Sequence, residues 1–268
     1  MCRIAWTTDI HLNFLGTQQI ETFLQSIKAQ QPDSLIISGD IGEGASVYDY
    51  LRRIANTLEM PIYFVLGNHD FYQSSIQHVR MGIAHLVQEV ANLYWLNAET
   101  VIKLNDNTAL VGHDGWSDGR YGDFQQSSIM LSDYVQIQEL TGIPPIERLN
   151  TLQQLGDEAA AHIKQVLPIA CKSYSHVFVV THSPPFQESC WHEGNFASDD
   201  NPYLPHFTCK AVGDVLLEVA QQFPECRLTV LCGHTHGTGE FRPLPNLQVI
   251  TGGAEYGSPV INQEFRLS

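Results

Sequence analysis

Basic side chains are scarce in this chain of 268 residues: 14 Lys and Arg stand against 29 Asp and Glu, a formal net charge of −15. That deficit opposes the generic attraction to phosphate backbones on which nucleic-acid binding relies. A nuclease of long duplexes is disfavoured, and only short nucleic acid remains open to such a reading. Long apolar runs are missing as well. No stretch reaches the roughly 18 apolar residues that a membrane helix needs, and Met1-Cys2-Arg3-Ile4-Ala5-Trp6 enters a strand directly without a signal-peptide pattern. The expectation is a cytoplasmic protein with no membrane partner. Cysteines are sparse and scattered, at 2, 171, 190, 209, 226 and 232, and lack the C-x-x-C spacing of redox or zinc motifs, so idle or buried thiols are expected. Cys190 lies in a loop close to His182. There is no internal repeat, low-complexity tract or linker, and the length suits one α/β domain.

What the chain does carry is a series of metal-ligand residues at strand ends. Asp9-Ile10-His11, Gly39-Asp40, Gly67-Asn68-His69-Asp70, Thr181-His182-Ser183-Pro184-Pro185 and Gly233-His234-Thr235-His236 each follow a run of apolar, β-prone residues. Open α/β sheets place their sites beyond the carboxyl ends of strands, so these stretches are expected to converge on one point. Several His, two Asp and one Asn make a mixed nitrogen and oxygen shell suited to ions such as Zn, Mn or Fe, with no thiolate required. Singly, Gly-Asp or Asp-x-His reads as an ordinary turn. The joint occurrence carries the signal.

Between the motifs, strand and helix alternate. Segments 3–8, 35–37 and 62–66 read as strands, and apolar repeats such as Val47, Leu51, Ile54 and Leu58 predict helices near 20–27, 45–58 and 74–91. Strands at 93–96, 101–104 and 109–112 follow in quick succession with turn-rich connectors and mark a second sheet. A helix at 145–167, a strand at 177–180, a helix at 208–222 and a strand at 228–231 come next. Segments 240–241, 247–250 and 260–265 read as antiparallel strands closing that second sheet. The expected fold is α/β, a four-layer α/β/β/α sandwich of two facing mixed sheets flanked by helices, forming one domain over 1–268.

In order and spacing, the motifs from Thr8 to His236 resemble those of the calcineurin-like metallophosphoesterases, a binuclear-metal family. The resemblance implies the same sandwich, a hydrolase of phosphoester bonds, a small phosphorylated substrate and two divalent or trivalent metal ions (Mn, Fe or Zn). Matched by position, it implies that Asp9, His11 and His236 hold one metal, that Asn68, His182 and His234 hold the other, and that Asp40 bridges both. His69 would stand over the phosphate, with Asp70 beside it to orient the ring. Two such ions ionise a bridging water to hydroxide near neutral pH and clamp the phosphoryl oxygens. A carboxylate at 40 offsets the repulsion between them, whereas the neutral Asn68 leaves the second ion electrophilic. His69 would protonate or electrostatically stabilise the leaving group. This core serves phosphomonoesterases and phosphodiesterases alike. A non-catalytic metal-binding scaffold is the alternative from another class, but it should lack some of these residues, and none is missing. The oligomeric state is left open.

Two insertions, near 113–140 and 184–207, are expected to shape the substrate. The first opens with His113-Asp114-Gly115-Trp116-Ser117-Asp118-Gly119-Arg120-Tyr121. Arg120 there suits a bidentate phosphate clamp, Trp116 or Tyr121 suits stacking, and His113 ends a strand on the motif side. The second follows His182 and holds Phe186, Trp191, His192, Asn195, Phe196, Tyr203 and His206, of which His192 is the foremost substrate candidate. Tyr256, after the last motif, is another. His78, His85, His162 and His176 read as packed or solvated.

Overall fold

The computed structural model describes residues 2–192 and 201–267, and of 195–196 the backbone alone. Numbered in chain order, the strands are β1 (Cys2–Thr7), β2 (Ser34–Ser38), β3 (Ile62–Val65), β4 (Leu93–Trp95), β5 (Ile102–Lys103), β6 (Thr108–Gly112), β7 (His176–Val180), β8 (Trp191–His192), β9 (Asn195–Phe196), β10 (Arg227–Cys232), β11 (Gly239–Leu244), β12 (Leu247–Thr251) and β13 (Gln263–Leu267). The helices are α1 (Thr17–Ala29), α2 (Ser46–Leu58), α3 (Ile76–Glu89), α4 (Asp133–Gln136), α5 (Pro145–Ser173), α6 (Leu204–Phe207) and α7 (Lys210–Gln222). One sheet has the order β13-β1-β2-β3-β4 and the other β11-β12-β10-β7-β6-β5. β1 to β4 are parallel, as are β6, β7, β10 and β12, and the antiparallel strands β13, β5 and β11 lie at sheet edges.

Side-chain alternation along the strands divides the interior into three apolar layers, which is the four-layer sandwich. On β1 and β2, Ile4, Trp6 and Ile36 face the second sheet, where Leu110, Phe178, Val180 and Leu231 meet them. Their neighbours Ala5, Leu35 and Ile37 face α1, α2 and α3. On the far side Val177, Val179, Leu228 and Val230 pack against α5 and α7. Trp6 is buried between the sheets, and its indole N–H donates to Ser38 Oγ at 2.9 Å, so the large ring leaves no unmet donor.

Three expectations need correction. β4 joins the first sheet, parallel to β3, so the second sheet begins only with β5. β13 closes the first sheet by pairing with β1 rather than the second. Helix α5 runs on through Pro168 to Ser173. A proline inside a helix costs about 3 kcal/mol, but the turns around it place Leu167, Ala170 and Cys171 in the apolar layer against the second sheet, and that burial outweighs the loss.

His176 opens β7 and is buried at 7% exposure. Arg227 donates to its Nδ1 at 2.8 Å, and its Nε2 pairs with Thr229 Oγ1 at 2.9 Å, so the neutral ring bridges two strands. Burial and the nearby Arg227 push its pKa down to about 4. The unfolded chain therefore takes up this proton first. The stability is complete above about pH 6.5 and is lost as pH falls toward 4, at no more than about 1.4 kcal/mol per pH unit. Urea unfolding of metal-free protein at pH 7 and pH 5 should show a smaller loss for His176→Gln than for the parent chain. Equal losses would remove His176 from the account.

Candidate metal centre

Because β1, β2 and β3 are parallel neighbours in one sheet and β7 and β10 in the other, five strand-end loops open at the same edge. They bring the donor atoms of Asp9, His11, Asp40 and His236 within 4.8 Å of one another, and those of Asp40, His182 and His234 likewise. Asp40 belongs to both groups. Its Oδ1 accepts the His69 backbone N–H at 2.9 Å, which leaves Oδ2 facing His182 Nε2 at 3.4 Å on one side and His11 Nε2 at 3.7 Å on the other. One carboxylate oxygen is thus shared between the two subsites.

The histidine tautomers follow from their outer partners. His182 Nδ1 lies 2.8 Å from the Ser38 carbonyl and donates to it, so Nε2 points inward, 3.1 Å from Asn68 Oδ1. His234 Nε2 lies 3.3 Å from the His206 carbonyl, leaving Nδ1 as its free nitrogen. His11 Nε2 and His236 Nε2 face each other at 3.1 Å, and His236 Nε2 is 3.5 Å from Asp9 Oδ1. Atoms each held about 2.0–2.2 Å from one ion at octahedral to tetrahedral angles stand about 2.8–3.6 Å apart. The observed spacings match this, so the residues fit a pair of divalent ions.

Without metal, the site is balanced by protons. Burial opposes ionisation of Asp40, but His182 and His69 beside it hold its carboxyl well below the usual range. Burial likewise opposes ionisation of Asp9, and His236 and His182 keep it low. His182 is buried, yet Asp40 raises its pKa to about 10, and Asp9 raises that of His236 against the burial effect. His11 is pushed by burial to about 4 and His234 by burial and His182 to about 3, so both rings are neutral at pH 7, the form that can bind a metal ion. A protonated His182 thus faces the carboxylates, the shift at His236 runs in the same direction, and metal ions would take the place of such protons.

The backbone is bent to make this possible. Among the described residues, eight other than glycine have positive φ, and five of them are Asp9, His11, Asp40, His234 and His236. Asp and His tolerate the left-handed region better than most side chains. Two glycines make room: a Cβ on Gly67 would stand 2.2 Å from Asp40 Oδ1, and one on Gly233 would stand 2.0 Å from Asp9 Oδ2.

Above the ligands lies an open cavity of about 320 Å³, lined among others by His69, Tyr72, Asp133, His192, Phe207 and Tyr256. The His69 ring sits 4.2 Å from that of Tyr72 and 4.7 Å from that of His11. Its acidic neighbour is not Asp70. The Asp70 carboxylate accepts the backbone N–H groups of Ile41, Gly42 and Gly67 at 2.8–2.9 Å, tying two ligand loops together, whereas Glu43 Oε1 stands 4.0 Å from His69 Nδ1.

The other expected substrate residues are placed differently. His192 and Tyr256 line the cavity, with the Tyr256 ring 4.6 Å from that of His11. Arg120 is held by Asp118 at 2.9 Å and Asp157 at 2.8 Å and is not aimed at the ligands; Asp118 also accepts the Ala211 N–H at the start of α7. Trp116 is buried against Phe71, and His113 is buried with Nε2 3.8 Å from Glu158. His206 is buried between the Tyr134 hydroxyl at 2.5 Å and Ser127 at 2.9 Å. Cys190 is fully buried, and burial pushes its thiol up to about 12, which leaves it unreactive. The side chains of Asn195 and Phe196 lie outside the described residues.

Sequence reading missed Glu43, Tyr72, Asp114 and Asp133. Asp114 is fully buried and joins the two sheets, accepting from Leu66 N–H at 2.8 Å, Trp95 Nε1 at 2.9 Å and Asn97 Nδ2 at 2.7 Å. Its position two residues after β6, at the edge where the other motifs emerge, was the available signal. Among the described residues no helix is long and apolar enough to cross a membrane.

Solved structures share the fold over most of their length. Phosphopantetheinyl hydrolase from Mycobacterium tuberculosis superposes with a TM-score of 0.66 at 13% identity, covering 93% of this chain and 89% of that one. A dimetal phosphatase from Danio rerio gives 0.59 at 14%, covering 96% and 89%. In sequence, a probable cyclic nucleotide phosphodiesterase of Pseudoalteromonas sp. (strain SM9913) is 40% identical over 81 residues, which is 25% of this chain and 31% of that relative. The calcineurin-like phosphoesterase profile matches residues 2–238, nearly the whole chain, and the chain therefore belongs to that family.

Proposed function

We propose that the protein is a metal-dependent hydrolase of small phosphodiesters. The observation that carries the choice of ester is the cavity wall: its lining residues include Asp40 and Asp133 but no Lys or Arg. The undescribed stretch 193–194 and 197–200 contains neither residue in its sequence. A phosphomonoester carries close to two negative charges at pH 7, its second pKa being about 6, and finds no side-chain cation here for the second. A diester carries one. The aromatic faces of Tyr72, Phe207 and Tyr256 suit a planar or apolar ester group, and the partial match to a probable cyclic nucleotide phosphodiesterase supports testing cyclic nucleotides first.

The metal pair, Mn, Fe or Zn, would supply Lewis-acid charge neutralisation and water ionised near neutral pH. Asp9, His11 and His236 would hold one ion, Asn68, His182 and His234 the other, with Asp40 shared between them. His69 stands at the cavity beside these groups, placed to deliver a proton to the departing oxygen or to stabilise its developing charge. Glu43 faces the other side of that ring. The net charge of −15 and the modest cavity of about 320 Å³ favour a small substrate over long nucleic acid.

With Mn supplied, kcat/KM for bis-p-nitrophenyl phosphate should exceed that for p-nitrophenyl phosphate by about tenfold or more, equivalent to about 1.4 kcal/mol. A faster monoester would overturn the diester reading.

A further inference from the structure

The residue whose placement the metal ligands alone do not explain is Asp133. It is 4% exposed, and among the described residues no Lys or Arg pairs with it. Its Oδ1 accepts from Asn68 Nδ2 at 2.8 Å and from the Tyr72 hydroxyl at 2.7 Å. The Asn68 amide also reaches the Tyr72 oxygen at 3.4 Å, so the three side chains form a closed triangle. On its opposite side the same carboxamide presents Oδ1 to His182 Nε2 at 3.1 Å.

A carboxamide is nearly symmetric in shape but not in chemistry: one end accepts and can ligate a cation, the other only donates. Flipped, Asn68 would turn an N–H toward the subsite and leave no oxygen there. We infer that Asp133 is a positioning residue: with Tyr72 it fixes the Asn68 carboxamide so that its oxygen faces the second metal subsite. The inference rests on the two-metal reading of the site.

The position of Asp133 is itself well determined. Helix α4, which it starts, is docked on the segment after β3 by Gln73 N–H to Gln136 O at 2.8 Å and Gln138 N–H to Ser74 O at 2.9 Å. Buried Ile137 and Tyr134 anchor its far side, with the Arg148 guanidinium 4.6 Å from the centre of the Tyr134 ring. The insertion near 113–140 thus reaches the centre through Asp133, by orienting a ligand, while Arg120 points elsewhere.

Mn²⁺ titration of metal-free protein, with free Mn²⁺ followed by electron paramagnetic resonance, tests this without any turnover. The parent chain should take up two equivalents. Asp133→Asn should bind the first unchanged and the second about 10–100-fold more weakly, the usual loss when a ligand's outer partner is removed, with an unchanged melting temperature of the metal-free form. The swap N68D/D133N keeps the charge and offers an amide donor to the new carboxylate, whose free oxygen faces the subsite; it should bind the second equivalent more tightly than either single variant. If Asp133→Asn fails to fold, Tyr72→Phe should give a smaller weakening confined to the second equivalent. An unchanged second affinity, or equal weakening of both equivalents, would overturn the inference. A parent chain that binds two equivalents yet hydrolyses no phosphoester would sink the hydrolase reading and leave this one standing.

Discussion

Asp40→Asn is expected to lower kcat by on the order of 10³-fold or more and to leave the protein with at most one metal ion per chain. The argument lies in the division of labour between its two oxygens. Oδ1 holds the His69 backbone N–H, and an asparagine oxygen does that equally well, so the loop should keep its shape. Oδ2 is the atom common to both ligand groups, and the variant puts an amide NH₂ there, with donors and no lone pair. Removing the carboxylate also removes the negative charge that offsets repulsion between two ions about 3.5–4 Å apart. Metal analysis after gel filtration, alongside the kcat for bis-p-nitrophenyl phosphate, separates the possibilities. Full activity with two ions retained would show that Asp40 does not bridge.

His69→Ala is expected to keep both ions and to lose about 10²–10⁴-fold in kcat, the span of positioned acid–base groups. The ring is not among the grouped ligand atoms, yet it lines the cavity and packs against Tyr72 and His11. The loss should grow as the leaving group becomes more basic, because a p-nitrophenolate departs without a proton and an alkoxide does not. A uniform loss across leaving groups would assign His69 to charge stabilisation alone. Loss of metal would make it a ligand.

The strand ends that meet at the candidate centre were legible because each combines two local signals, an apolar β-prone run and a chemically capable residue soon after it. Parallel pairing then brings them to one edge whatever the exact register. Sheet membership was less legible. β4 and β13 are short strands whose side-chain patterns fit either sheet, and only long-range pairing, β13 with β1 across the length of the chain, decides between them. Arg120 looked free because one of its partners, Asp157, arrives from α5, far along the sequence. Asp70 follows His69 in sequence, but the turn sends its carboxylate back to three amides. Asp133 was invisible for the same reason in reverse. An aspartate at the start of a short helix carries no local mark of the asparagine 65 positions earlier whose amide it accepts from.

The left-handed backbone at Asp9, His11, Asp40, His234 and His236 bears on how such a protein changes over generations. Each position costs roughly 1 kcal/mol relative to a relaxed conformation, in a molecule whose total margin is on the order of 5–15 kcal/mol. Glycine at any of the five would erase a candidate ligand and relieve that strain together. At Asp9 and Asp40 glycine would also strand the backbone N–H groups of His234 and His69, at a cost of about 1–3 kcal/mol each, so a laboratory selection for heat resistance in the presence of a chelator should enrich glycine at the three histidines rather than at the two aspartates.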